Sequence, residues 1–205
     1  MDERVERVIR DYDERHRAET AEMNAWPWHE AAPRIDEFLI PIGHATGQFV
    51  HDLAVAAKAQ LIVEFGTSYG YSALWLAMAA RETGGRLVSL DIAAGKQAYA
   101  REQLERAGLA GHVEFVLGDA VESARRLDGP VDFVLIDLWK DLYIPSFDAI
   151  YPKLASPAFI VADNMIDPPN NHAEAEAYRA HVRMHVPQTV LLPLGSGIEL
   201  SRFER

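Results

Sequence analysis

The chain has 205 residues, of which 49% are hydrophobic and 25% charged, which is the balance of a globular protein with one well-buried core. It contains no cysteine, which excludes disulfides, thiolate metal ligands and a cysteine nucleophile, and which fits a cytoplasmic location. The net charge of −11 opposes binding to phosphate backbones, and no apolar stretch reaches the roughly 20 residues of a membrane span. We therefore expect a small-molecule partner rather than a nucleic acid or a membrane.

Two helices are predicted in the N-terminal region. Residues 2–23 carry apolar side chains at helical spacing, which predicts a helix with one packed face. This apolar stripe consists of Val5, Val8, Ile9 and Tyr12. A second helix is predicted from about Pro33 to Leu39, before Pro41 interrupts the pattern. Aromatic side chains in this region either line a pocket or only pack against their neighbours.

From Thr46 onward, helical patterns alternate with short apolar runs rich in β-branched residues. After a helix that ends near Lys58, the predicted strands are residues 61–63, 86–90, 113–117, 131–136 and 158–162. The predicted helices are residues 71–82, 95–107, 119–127, 145–154 and 173–185. This alternation predicts an α/β fold with a doubly wound, mostly parallel sheet. Two final runs, 189–194 and 198–203, flank a glycine-rich turn and predict an antiparallel hairpin.

A glycine loop follows the first predicted strand. Gly66 and Gly70 frame a tight turn into a helix, where backbone amides can approach an anionic group. The G-x-x-x-G spacing differs from the dinucleotide fingerprint G-x-G-x-x-G, so a carboxylate is a better ligand than a pyrophosphate. Glu64 precedes the loop in an apolar strand, where a buried carboxylate needs a partner or a function.

Acidic residues also end the next two predicted strands. Asp91 closes one strand at the position where an acid typically accepts ribose hydroxyls. Asp119 follows the other strand, and it either accepts a hydrogen bond from an exocyclic amine or caps the next helix. Together with the glycine loop, these strand ends offer sites for an amino-acid carboxylate, a ribose and a base. That set describes S-adenosylmethionine or its product.

A second group of polar residues follows the fourth and fifth strands. Asp137 ends one strand and Asp163-Asn164 ends the other, at the sheet edge where α/β proteins bind ligands. Two carboxylates and an amide oxygen suit Mg²⁺ or Ca²⁺, although Asp and Asn are also common turn residues. Lys140 favours the metal site, because burial near a cation would give this lysine a pKa suitable for a general base.

These segments resemble the catechol O-methyltransferases, a cation-dependent family. The resemblance spans about residues 40–200, and the motifs that carry it are Val63-Glu64-Phe65-Gly66, Gly70-Tyr71-Ser72-Ala73, Asp137-Leu138-Trp139-Lys140-Asp141-Leu142-Tyr143 and Ala162-Asp163-Asn164-Met165-Ile166. It implies a class I methyltransferase fold with a seven-stranded sheet and S-adenosylmethionine as the methyl donor. It also implies Mg²⁺ held by Asp137, Asp163 and Asn164.

The resemblance further assigns roles around the reacting groups. Lys140 would be the base, Glu199 would hold the second substrate hydroxyl, and Trp139 would wall the site. The residues expected to bind the cofactor are Gly43, Glu64, Gly66, Tyr71, Ser72, Asp91, Asp119 and Asp137. This sequence departs from the family pattern at Asp91, where a glutamate is usual, and at Leu138, where the catechol enzymes have a histidine.

We therefore expect a single domain over residues 1–205, with an N-terminal helical lid over residues 1–43 and a core over residues 44–205. The expected activity is methyl transfer to a small hydroxylated, catechol-like aromatic. The alternatives are a tRNA or nucleoside O-methyltransferase and a non-catalytic S-adenosylmethionine-binding protein. Pro168-Pro169-Asn170-Asn171 is interpreted as a loop after the metal-binding strand. The oligomeric state stays open, with a homodimer as the alternative to a monomer.

Overall fold

The computed structural model describes residues 2–167 and 172–205, so the loop interpreted at residues 168–171 lies outside the described residues. Within them, strands form one sheet of order β3-β2-β1-β4-β5-β7-β6. Strands β1 to β5 pair in parallel, β7 is antiparallel to β5, and β6 is antiparallel to β7. The strands are β1 (Leu61–Phe65), β2 (Arg86–Asp91), β3 (Val113–Leu117), β4 (Val131–Ile136), β5 (Leu154–Ala162), β6 (Thr189–Leu192) and β7 (Ile198–Phe203). The predicted doubly wound sheet with a C-terminal hairpin is confirmed.

The helices follow the predicted order, except that a short helix, Trp28–Ala31, was not predicted and that two of the predicted helices differ from the structure. They are α1 (Glu3–Ala25), α2 (Trp28–Ala31), α3 (His44–Ala56), α4 (Tyr71–Thr83), α5 (Ala94–Arg106), α6 (Ala120–Arg126), α7 (Tyr143–Ile150) and α8 (His172–His185). The helix predicted from Pro33 is instead a 3-10 helix, Ala32–Glu37, with the proline in its first turn, where a missing N–H costs nothing. The helix predicted over residues 145–154 ends earlier, because Pro152 lies in a 3-10 turn that leads directly into β5.

Alternating side chains of the central strands contact two different apolar layers. Ile62 packs with α1, α3 and α4 on one face, whereas Val63 and Phe65 pack with α6, α7 and α8 on the other. Glu64 is two residues after Ile62 in β1, so its side chain lies on the same face of the sheet and points toward the α4 layer. The buried stripe of α1 joins that layer and places Tyr12 beside the glycine loop, residues 66–70.

No helix in the part of the chain that the structure describes is long and apolar enough to cross a membrane. The cytoplasmic location, the single-domain organisation and the homodimer stay predictions.

Candidate functional site

The carboxyl ends of the parallel strands border a cavity of about 310 Å³. It runs from the end of β2, past the glycine loop after β1, to the ends of β4 and β5. Site residues that were predicted from separate parts of the sequence meet on the wall of this cavity. They are Gly66, Asp91, Asp119, Asp137, Asp163 and Asn164. The structure therefore brings both groups of predicted strand-end residues into one cavity.

Only a glycine fits at position 66 on the cavity wall. Its φ of +100° lies in the region that favours glycine, and a Cβ atom there would stand 2.1 Å from the backbone oxygen of Asp137. Gly70 has a different role, because a Cβ at that position would stand 2.6 Å from the Cβ of Ala100 on α5. Gly66 thus permits the close approach of β1 and β4 at the cavity, and Gly70 permits helix packing.

We expect Gly66→Ala to weaken binding of S-adenosylhomocysteine at least about tenfold, because the added methyl group must displace the backbone at Asp137. Gly84→Ala is the matched control, since Gly84 also has a positive φ of +72° but has open space around its Cβ position. That control is expected to lower stability by about 1 kcal/mol and to leave binding unchanged. Isothermal titration calorimetry measures the affinities of both variants, and chemical unfolding measures the stability of the control. Equal affinities for wild type and Gly66→Ala would contradict the close-approach role.

Tyr71 and Ser72, at the start of α4, line a smaller cavity of about 20 Å³. This cavity shares Gly66, Ser68 and Asp137 with the larger one, so the two are neighbours. The first backbone amides of α4 have no acceptor within the helix and lie next to the glycine loop. Gly43 lines neither cavity and caps α3 with a φ of +79°, so the structure places this residue at a turn of the chain rather than on the wall.

Glu64 lies beneath the glycine loop and is fully buried. Ser89 donates a hydrogen bond to its Oε2, Thr67 lies 2.6 Å from Ser89 Oγ, and Gln97 donates to Thr67. Oε1 has no hydrogen-bond partner among the described residues. Burial raises the pKa of Glu64 to about 8, opposed by the nearby hydroxyl groups of Ser72 and Ser89 and reinforced by the charges of Asp137 and Asp91.

Because burial raises the pKa of Glu64 from 4.5 to about 8, the ionised carboxylate destabilises the ligand-free fold. The contribution of Glu64 to the stability of the fold is fully present below about pH 4.5 and is lost as the pH rises toward 8. We expect Glu64→Gln to remove this loss, so that the variant gains about 1.4 kcal/mol over wild type for each pH unit in that window. Chemical unfolding at several pH values measures the difference. Glu114→Gln, at an exposed glutamate, is the control, and parallel pH profiles for wild type and Glu64→Gln would contradict the assignment.

Asp91 and Asp119 both hold local backbone while they line the cavity. Asp91 accepts hydrogen bonds from the amides of Ser68 and Ala93, each at 2.7 Å, and so fixes the glycine loop to β2. Asp119 accepts a hydrogen bond from the amide of Glu122 at 2.9 Å and caps α6, which is the alternative left open by the sequence. Each carboxylate oxygen has further lone pairs, so these bonds leave capacity for a ligand hydroxyl or amine.

Asp137, Asp163 and Asn164 form the polar end of the cavity. Asp163 is buried, and its Oδ1 has no hydrogen-bond partner among the described residues. Burial raises the pKa values of Asp137 and Asp163, and the charge of Asp137 raises that of Asp163 further. Asn164 has a φ of +54°, a left-handed conformation that asparagine tolerates. Two neighbouring carboxylates in a buried setting favour a cationic ligand.

Lys140 lies beside this polar end but not on the cavity wall. Its Nζ donates a hydrogen bond to the backbone oxygen of Asp163 at 2.9 Å and lies 3.5 Å from the centre of the Tyr143 ring. Burial lowers the pKa of Lys140 to about 8, although the charges of Asp137 and Asp163 oppose this change. A lysine with this pKa can exchange a proton near neutral pH.

Glu199 is not brought to the cavity. In β7 it points to the side of the sheet covered by α8, where Arg179 Nε lies 2.8 Å from Oε2. Thr189 donates to its Oε1 at 2.7 Å, so both carboxylate oxygens already have protein partners. The role predicted for Glu199, holding a substrate hydroxyl, does not fit this placement. Side chains alternate along a strand, and the face that Glu199 occupies is set by the pairing of β7 with β5.

Several cavity residues were missed in the sequence. They are Ile35, Asp36, Phe38, Ile40, Pro41, Ile42, Ser68, Ile92, Ala93, Lys96, Ala120, Val121, Leu142 and Ser196. Trp139, predicted to wall the site, and Leu138, noted as a departure from the family pattern, do line the cavity. Residues 35–42, called the lid segment below, cross the cavity as the end of the 3-10 helix and the irregular chain after it, which has no periodic pattern to detect. The only signal was the position of Lys96, in the first turn of the helix that follows Asp91.

Comparison with known proteins places this cavity in a family. The profile of a family described as a methyltransferase domain matches residues 63–165, which run from β1 to the segment just after Asn164. The chain belongs to this methyltransferase domain family. Its matched residues contain the glycine loop, Asp91, Asp119 and the polar end of the cavity.

Similar proteins agree with this assignment. A catechol O-methyltransferase from Mycobacterium tuberculosis is 36% identical over 128 residues, which is 62% of this chain and 58% of the relative. The chain therefore spans under two thirds of that relative's length. The cofactor-bound crystal structure of Rv0187 from MTB is 30% identical, with a TM-score of 0.69 over 79% of this chain and 81% of the other.

A whole-chain similarity supports the fold. The methyltransferase PaMTH1 of Podospora anserina, crystallised with SAH, has a TM-score of 0.74 and 20% identity over 100% of this chain and 89% of its own. The mostly parallel seven-stranded sheet with an antiparallel C-terminal pair is the class I methyltransferase fold.

Proposed function

We propose that the protein is an S-adenosylmethionine-dependent O-methyltransferase that requires a divalent metal and acts on a small hydroxylated, catechol-like aromatic. The observation that carries the proposal is the single cavity that joins the glycine loop and Asp91 to the carboxylates of Asp137 and Asp163. A methyl donor held at one end would meet an acceptor hydroxyl held at the other.

The cofactor's polar groups match the chemistry along the cavity. The free amides at the start of α4 suit the carboxylate of the donor, and Asp91 suits its ribose hydroxyls. Asp119, with the apolar side chains of Val121 and Leu138 nearby on the wall, suits an adenine. The carboxyl group of Glu64 is buried beneath the loop, and a cationic group of the donor nearby would lower its raised pKa and favour its ionised form.

The residues at the polar end fit a divalent cation. Asp137, Asp163 and Asn164 would hold it through oxygen atoms, which are the ligands that Mg²⁺ and Ca²⁺ prefer. The unpartnered Oδ1 of Asp163 and the raised pKa values of both aspartates support this assignment. No group of three or more His, Cys, Asp or Glu side chains within residues 2–167 and 172–205 is arranged as a metal site, so the set relies on two carboxylates and one amide. A bound cation would lower the pKa of an acceptor hydroxyl.

Lys140 would take the proton of the acceptor hydroxyl while the methyl group passes in line from sulfonium to oxygen. The lowered pKa of about 8 leaves part of the lysine neutral near neutral pH, as this step requires. Lys140 must exchange its bond to the Asp163 carbonyl for one to the acceptor, because its Nζ lies behind the wall. Tyr143, which donates to the same carbonyl, holds that carbonyl in place.

The walls near the polar end suit a flat apolar acceptor. Ile40, Trp139 and Leu142 contribute apolar surface, and Trp139 is 59% exposed at the mouth. Such walls accommodate an aromatic ring that presents its hydroxyls to Asp137 and Asp163. This arrangement favours a catechol-like acceptor.

A transfer assay tests the proposal. Labelled S-adenosylmethionine is mixed with a catechol and with the matched monohydric phenol, each with Mg²⁺ or with chelator. We expect transfer to the catechol with Mg²⁺, and a loss of at least about a hundredfold in chelator. Full activity in chelator would overturn the metal requirement, equal activity on the phenol would overturn the catechol class, and no binding of the cofactor would overturn the whole proposal.

A further inference from the structure

The N-terminal helix α1 contacts the glycine loop through a stacked arginine. The guanidinium of Arg15 lies 3.9 Å from the ring centre of Tyr69, in the loop, and 4.6 Å from that of Tyr99, on α5. Its Nε donates to Glu19 at 2.6 Å, and only 23% of the side chain is exposed. The two rings pack edge to face with their centres 5.6 Å apart. A cation that lies over both rings, with its charge paired on its own helix, holds them in a fixed arrangement.

Tyr69 makes three contacts that join it to two other parts of the protein, α1 and the lid segment. Besides the stack with Arg15, its backbone oxygen accepts a hydrogen bond from the hydroxyl of Tyr12 at 2.6 Å. Its own hydroxyl donates to the backbone oxygen of Glu37 at 2.9 Å, where the lid segment crosses the cavity. A movement of this one loop residue would therefore shift α1, the loop and the lid segment together.

The same face of α1 also holds the lid segment directly. The amide of Leu39 donates to Glu19, the partner of Arg15, and the backbone oxygen of Leu39 lies 3.0 Å from Nδ1 of His16. Leu39 is followed by Ile40, Pro41 and Ile42, which line both cavities. The Arg15–Glu19 pair thus connects the two segments that would enclose a cofactor.

We propose that Arg15 is a positioning residue for the cofactor, which sets its affinity by holding the glycine loop and the lid segment in the binding arrangement. This inference rests on the proposed function. Arg15 lines neither cavity, so it acts through Tyr69 and Glu19 rather than on the ligand. When the competent arrangement is only partly populated, the apparent affinity falls in proportion to its population.

Titration calorimetry with S-adenosylhomocysteine tests the proposal on the full chain. We expect Arg15→Met to weaken binding about tenfold while kcat at saturating S-adenosylmethionine stays within about twofold of wild type. Arg15→Lys keeps a cation over the rings and is expected to recover most of the affinity. Arg17→Met is the matched control, because Arg17 is an exposed arginine of the same helix, and it is expected to bind as wild type does.

A second variant keeps the test valid if Arg15→Met does not fold. Tyr99→Leu removes the ring that α5 contributes and leaves the sequence of α1 unchanged. We expect about threefold weaker binding of S-adenosylhomocysteine. Affinities within about twofold of wild type in the folded Arg15 and Tyr99 variants would overturn the positioning role while the proposed function stands. A wild-type protein that does not bind S-adenosylhomocysteine would overturn both.

Discussion

Asp163→Asn is expected to lower kcat/KM for methyl transfer by at least about a hundredfold, because it removes one of the two carboxylates that would hold the cation and orient the acceptor. The substitution keeps the size of the side chain. It also removes one of two neighbouring carboxylates whose ionisation is costly, since burial and then the charge of Asp137 raise the pKa of Asp163. The metal-free variant should therefore unfold at a higher temperature than wild type at pH 8. Steady-state kinetics with varied Mg²⁺ and thermal unfolding in chelator measure the two effects.

Asp141→Asn is the control for this substitution. Asp141 belongs to the same sequence motif, but its side chain is exposed and it lies outside the cavity wall. The control should keep wild-type kinetics and stability. An Asp163→Asn variant with full Mg²⁺-dependent activity would contradict the assignment of this aspartate, and loss of stability together with loss of activity would indicate a structural role instead.

Lys140→Met is expected to lower kcat by about 10² to 10⁴, the range for loss of a general base, and to leave the affinity for S-adenosylhomocysteine within about twofold of wild type. The reason is that the ammonium contacts the Asp163 carbonyl and the Tyr143 ring next to the acceptor end and does not line the cavity itself. Turnover and cofactor binding are measured separately, by initial rates and by calorimetry.

Lys140→Arg distinguishes a general-base role of Lys140 from a role of its positive charge alone. Arginine keeps the positive charge beside Asp163 but stays protonated at all accessible pH values, so this variant should be as slow as Lys140→Met. Wild-type turnover in Lys140→Arg would show that only the charge matters. Equal losses in turnover and cofactor affinity for Lys140→Met would assign the residue a structural role.

Local patterns in the sequence predicted the sheet because its central strands are buried on both faces and its parallel strands are separated by helices. The strands 113–117, 131–136 and 198–203 were predicted with the bounds that the structure has. The cavity residues at strand ends could be predicted for the same reason, since parallel strands end at one edge of the sheet. Gly66, Asp91, Asp137 and Asp163 meet there even though they come from four different strands or the loops after them.

The failures have a different physical origin. Glu199 lies in a strand whose face is fixed by antiparallel pairing with β5, which is a tertiary contact that residue spacing does not encode. The lid segment is the end of a 3-10 helix and the irregular chain after it, and its position depends on distant contacts, such as the 2.6 Å ion pair between Asp36 and Lys96. The position of the Lys140 ammonium depends on Tyr143 and on the carbonyl of Asp163. The sequence motif therefore predicted that Lys140 lies near the polar end of the cavity, but it could not predict where the ammonium points.

The most direct test of the account is a crystal structure of the protein with S-adenosylhomocysteine and Mg²⁺. It should show the ribose at Asp91 and a cation at about 2.0 to 2.1 Å from oxygens of Asp137, Asp163 and Asn164. A nucleoside bound outside the cavity, or a cation absent from these three residues at saturating Mg²⁺, would contradict the assignment of this cavity to metal-assisted methyl transfer.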